Sequence, residues 1–67
     1  MSKPRYAKRH YEDAARIIRE AKEEFKTPEE LRVVNYIRNE FSFMFTEDNK
    51  LFKVGKFLEA CEPKPEK

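Results

Sequence analysis

The chain has one cysteine, one histidine, one glycine and no tryptophan among its 67 residues. A lone Cys61 excludes an internal disulfide framework, and a lone His10 leaves too few ligands for a His/Cys zinc site of ordinary ligand count. No metal or cofactor is expected. A single domain of this size buries only about 60% of the surface its unfolded chain exposes, so without disulfide or metal its stability must come from helix packing or self-association. Long apolar runs are also missing. Nothing approaches the roughly 18 apolar residues of a membrane span, and the basic N-terminus lacks the apolar stretch of a signal peptide, so a protein of the reducing cytoplasm is expected.

Charge is plentiful, at 42% of residues, and unevenly placed. Residues 1–10 carry Lys3, Arg5, Lys8 and Arg9 with no acid, whereas residues 11–49 hold ten acids against six basic residues. The scarcity of glycine argues against an internal linker. The expected division is a flexible basic N-terminus over 1–5, one compact domain over 6–61, and a disordered tail over 62–67, where two prolines and no apolar side chain offer nothing to bury.

The pattern within the domain is all-α. Tyr11, Ala14, Ala15, Ile18, Ala21 and Phe25 recur at three- and four-residue spacing, predicting an amphipathic helix over roughly 6–26. Thr27-Pro28-Glu29-Glu30 then supplies an N-cap threonine, a proline at the first helical position and a glutamate three residues after the cap. A second helix over 28–45 therefore follows at once, forming a hairpin. Leu31, Val34, Ile37, Phe41, Met44 and Phe45 continue its period into Phe41-Ser42-Phe43-Met44-Phe45. Strand alternation of the three phenylalanines is open on propensity alone, but a lone strand would have no partner. Thr46-Glu47-Asp48-Asn49 should end this helix. A short third helix over 53–61, weakened by Gly55, completes a three-helix arrangement with Phe57, Leu58 and Cys61 on one side.

At about 100° per residue, Phe41, Met44 and Phe45 face the first helix while Tyr36 and Phe43 lie nearly opposite. That second side is met either by the third helix, through Phe52, Phe57 and Leu58, or by a protein partner, self or foreign. Tyr36, Phe43 and Phe52 are accordingly the candidate partner-binding residues, with a homodimer as one outcome. Lys3, Arg5, Tyr6, Lys8 and Arg9 are the candidates for a nucleic-acid alternative, gripping phosphates and stacking on bases; Lys50, Lys53 and Lys56 extend that patch only if the fold brings the two clusters together. Neither His10, near Glu12 and Asp13, nor Cys61, on the apolar side of the last helix, is assigned a catalytic role. A histidine at the start of an exposed helix is ordinarily solvated, and a cysteine among apolar neighbours behaves as a small hydrophobe. A non-enzymatic binding protein is the leading expectation.

Two stretches carry a resemblance. Tyr11, Glu12, Ala15, Ile18 and Arg19 follow an E-x-x-A-x-x-I-R pattern after a basic-aromatic start. Phe45, Asp48, Asn49, Phe52, Lys56, Phe57, Leu58, Ala60 and Cys61 follow F-x-x-D-N-P-x-F-x-x-x-R-F-L-x-A-C. In this the chain resembles a group of short uncharacterised proteins encoded by bacteriophages, plasmids and bacterial genomes. Lys50 stands in place of that group's usual proline, Lys53 in place of a frequent aspartate suited to capping the last helix, and Lys56 in place of arginine. The resemblance implies a mobile-element source and a small protein acting by stoichiometric binding to a host or defence component in the host cytoplasm.

Overall fold

The computed structural model describes residues 4–63, and over these the chain is three helices: α1 (Lys8–Glu24), α2 (Pro28–Asp48) and α3 (Val54–Ala60), each packed on the other two. The all-α expectation holds. The strand alternative fails, because Phe41–Phe45 lies inside α2.

Each helix begins differently, as its residues dictate. Ala7, the N-cap of α1, has no side-chain oxygen to offer; its own N–H instead donates to Nδ1 of His10 at 2.8 Å. At α2 the cap is complete: the Glu30 N–H donates to Thr27 Oγ1 at 3.2 Å, and the Thr27 N–H donates back to Glu30 Oε1 at 3.3 Å. Such a cap contributes about 0.5–2 kcal/mol and confines the turn to Phe25, Lys26 and Thr27. α3 starts at Lys53 with no side-chain cap, in keeping with a lysine standing where an aspartate would bond. Its other end is held instead, since Arg19 Nη1 donates to the Ala60 carbonyl at 3.1 Å.

α2 runs through the polar stretch expected to stop it. Ser42 and Thr46 hydroxyls donate to the carbonyls of Asn39 and Ser42, so neither competes for the helical N–H groups. Asp48 accepts the backbone N–H groups of Arg5 and Tyr6 at 2.8–3.3 Å, which fixes the last turn from across the molecule. Asn49 then ends the helix: its Oδ1 accepts from the Leu51 N–H at 3.0 Å, and its Nδ2 donates to the Tyr11 hydroxyl at 3.3 Å.

The core is Ala15, Ile18, Val34, Phe45, Phe57 and Cys61. Phe45, 2% exposed, is its centre, with the rings of Tyr6, Tyr11, Phe41, Phe52 and Phe57 between 4.7 and 5.7 Å from its own. The N-terminal approach, all three helices and the turn before α3 each contribute a ring to this cluster, and each such pair adds about 0.5–1.5 kcal/mol beyond the area it buries.

The residues that border the domain are fastened to it. Arg5 is held through its backbone by Asp48, and Glu62 forms ion pairs with the buried Lys22 and with Arg38 at 3.3 Å. Residues 1–3, including Lys3, and 64–67 lie outside the described residues.

The fold yields one paired prediction. Phe45→Ala should cost about 3–5 kcal/mol and leave little folded protein, because it removes the ring on which all segments meet. Gly55→Ala should raise stability by about 0.5–1 kcal/mol, because an added Cβ meets no atom within 4 Å and the helical backbone there suits alanine. Urea titration checks both; a less stable Gly55→Ala would mean that α3 does not form as described.

Candidate functional site

The side of α2 away from the core is uncovered and rich in large apolar side chains, set among the exposed Glu40 and Glu47. Tyr36 and Phe43 are each 65% exposed, and Val33, Ile37 and Met44 beside them are 59%, 43% and 38% exposed. α3 does not reach them. It packs through Phe57 and Cys61 onto the opposite side, and the ring of Phe52 goes with it, 4.6 Å from Tyr11 and 5.6 Å from Phe57. Tyr36 and Phe43 thus lie on an open side of α2, at the angle the helical period predicts. Phe52 is apart from them, partly buried and packed against the core.

Met44 also departs from expectation. It was to face α1, yet it lies toward solvent, touched by the Tyr6 hydroxyl at 3.8 Å, and Phe41 is only partly buried. The side of α2 that is covered is another: the segment after α3 pairs with Arg38 through Glu62, and Ser42 is buried while Ile37 and Met44 are left exposed.

The open face continues across to α1. Ala14, Ile17, Ile18 and Ala21 on α1 and Val34, Ile37 and Phe41 on α2 line a groove of about 300 Å³, with Ile17 57% exposed on its rim. The helical period of α1 passes over Ile17, but the signal was present: adjacent Ile17 and Ile18 diverge by about 100° and cannot both enter one core.

The basic head is distributed differently from a binding patch. The Tyr6 ring packs edge-on against Phe45 at 5.2 Å and is occupied within the fold, leaving it a poor platform for a base. Lys8 and Arg9 are exposed, with Lys8 4.0 Å from Glu12. What the fold does bring together is Lys8 with Lys53 and Lys56. They surround a second groove of about 470 Å³ between α1 and the α3 segment, with Tyr11, Phe52 and Phe57 among its lining residues.

His10 and Cys61 have structural roles. His10 Nδ1 is engaged by the Ala7 N–H. Cys61 is fully buried, and desolvation pushes its thiol pKa up against the opposing pull of Arg38 and Lys22, which leaves less of the nucleophilic thiolate. Among the described residues no group of three or more potential metal ligands gathers, and no helix is long and apolar enough to cross a membrane.

No protein-family model, no curated protein and no solved structure matches the chain.

Tyr36→Ser and Phe43→Ser should each change unfolding free energy by no more than about 0.5 kcal/mol, as substitutions outside the core do. Chemical denaturation monitored by circular dichroism reads this directly. A loss of about 2 kcal/mol or more from either variant would place that ring beneath α3.

Proposed function

We propose that this is a non-enzymatic protein that acts by stoichiometric contact with another protein, through the apolar face of Tyr36 and Phe43 and the α1/α2 groove beside them. The supporting observation is the number of exposed apolar groups on one side of α2: Val33, Tyr36, Ile37, Phe43 and Met44 fall within about 120° of one another, around an exposed Glu40. Large apolar groups gathered on a small water-facing surface mark contact sites, whereas single exposed ones are ordinary. The resemblance to short phage- and plasmid-encoded proteins fits a modulator of a host or defence component in the host cytoplasm. A homodimer through the same face is the variant form of this reading.

A photo-crosslinking residue at position 43, in cells of the natural source, tests it. A discrete protein adduct should form, and Tyr36→Ser with Ile37→Ser in the same chain should abolish it while the circular dichroism spectrum stays that of the parent. Adducts that persist unchanged in the double variant, or none at all, contradict the reading.

A second reading, association with nucleic acid, is favoured by one observation: the fold places Lys8 of the basic head next to Lys53 and Lys56. Phosphate binding by these lysines would weaken steeply with salt. Single-stranded oligonucleotide should then be retarded at low salt, and replacing Lys8, Lys53 and Lys56 with glutamine should release it. No retardation by the parent removes the reading.

A further inference from the structure

The α1/α2 groove, as distinct from the Tyr36 and Phe43 rings beyond it, has charged borders of one sign. Stepping about 100° per residue, Asp13, Glu20 and Glu24 lie within about 60° of Ile17 on the outer edge of α1, and Glu29, Glu40 and Glu47 lie within about 60° of Met44 on the outer edge of α2. All six are exposed. The groove is therefore an apolar trough between two acidic rows.

Three of the cations that would offset these rows are held elsewhere, and Arg9 stands near the α1 row only at its N-terminal end, four residues before Asp13. Arg19 is bound to the Ala60 carbonyl, and Lys22 and Arg38 converge on Glu62, so half of the basic residues between 11 and 49 are spent on anchoring the C-terminal segment. Arg16 lies among the acids but is shared between Asp13 at 3.9 Å and Glu20 at 3.4 Å. Lys26 sits in the interhelical turn and Arg32 on the far side of Tyr36 and Phe43. The folding of α3 onto one side thus leaves net negative charge around the opening on the other.

The trough has the form of a helix seat. Ala14 and Ala21, two turns apart on α1, are small enough to admit a neighbouring backbone, while Ile17 on α1 and Ile37 and Phe41 on α2 form its walls. An added helix would place apolar side chains at i, i+3/i+4 and i+7 into the trough and turn its flanks toward the two acidic rows. A second copy of this chain fits poorly, because its own face would bring the same acids against these, and like charges across an interface are costly. Nucleic acid is excluded from this face by sign.

Resting on the protein-contact reading, we infer that the occupant of this face is a basic amphipathic helix of another protein, its apolar stripe in the α1/α2 trough and its lysines and arginines paired with Asp13, Glu20 and Glu24 on one side and Glu29, Glu40 and Glu47 on the other.

Two synthetic helical peptides of about 18 residues, roughly 27 Å long and so matched to the trough, test this: both carry leucine at three- and four-residue spacing, one with lysine and arginine elsewhere and the other with glutamate. Each is titrated into the full-length, isotope-labelled protein and followed by amide chemical shifts at low and moderate salt. The basic peptide should bind in the micromolar range, shift amides around Ala14, Ile17, Ala21 and Ile37, and weaken as salt screens the rows. The acidic peptide should bind at least about tenfold more weakly, and Glu20→Lys with Glu40→Lys should narrow or invert that ratio. Equal binding of both peptides in the trough overturns the basic-partner inference while leaving the protein-contact reading standing. Shifts confined to residues outside the trough, or no binding of the basic peptide, overturn it as well. So does a parent protein that sediments as a dimer dissociated by Ile37→Ser, which would give the face to a second copy. The protein-contact reading itself fails only with the crosslinking experiment, so the two failures are separable.

Discussion

Phe45 is the point on which the molecule depends. A chain of this size without disulfide or metal must concentrate its apolar contact, and it does so by bringing five aromatic rings from every segment around one buried phenylalanine. The N-terminal approach, α1, α2, the turn after it and α3 each contribute. The polar fastenings lie around the same cluster: Asp48 holds the backbone of Arg5 and Tyr6, and Asn49 bonds the Tyr11 hydroxyl. Loss of that ring removes the reason for any segment to lie where it does.

A core built on one side of a two-helix hairpin leaves the other side without cover. α3 is seven residues long and reaches only the flank where Phe57 and Cys61 meet Phe45 and its neighbours. The same docking draws Arg19, Lys22 and Arg38 toward the C-terminal segment. Hydrophobic and electrostatic consequences therefore coincide at the α1/α2 groove: it is uncovered and edged by acids, while the covering helix and three of the cations, Arg19, Lys22 and Arg38, are drawn to the opposite side. The protein-contact proposal and the charge of its partner follow from this one asymmetry.

How much of this was legible in the sequence depended on how local each cause was. Thr27-Pro28-Glu29-Glu30 could be read because a capping box is complete within four residues, and Tyr36 and Phe43 could be placed opposite the core because a helix fixes that angle. The end of α2 could not be read: Thr46 to Asp48 look like a turn, and the interaction that keeps them helical comes from backbone groups more than forty positions away. Phe52 was misplaced for a similar reason, since only the direction of the Asn49 turn decides that its ring joins Tyr11. The full width of the open face, through Ile17, Val33, Ile37 and Met44, was hidden because α2 is apolar over more of its circumference than one neighbour needs, and only the position of α3 decides which part is buried. Glu62 looked like the start of a tail because its cationic partners lie on two other helices.

Apart from Phe25, which is exposed in the interhelical turn rather than on the buried side of α1, the aromatic residues divide into a Phe45 cluster and an open α2 face. Nuclear Overhauser contacts between aromatic side chains measure that division most directly. Phe45 ring protons should show cross-peaks to Tyr6, Tyr11, Phe52 and Phe57, while the rings of Tyr36 and Phe43 show none to α3. Cross-peaks from Phe43 or Tyr36 to Phe57 or Leu58 would put α3 over the face described as open and contradict the account.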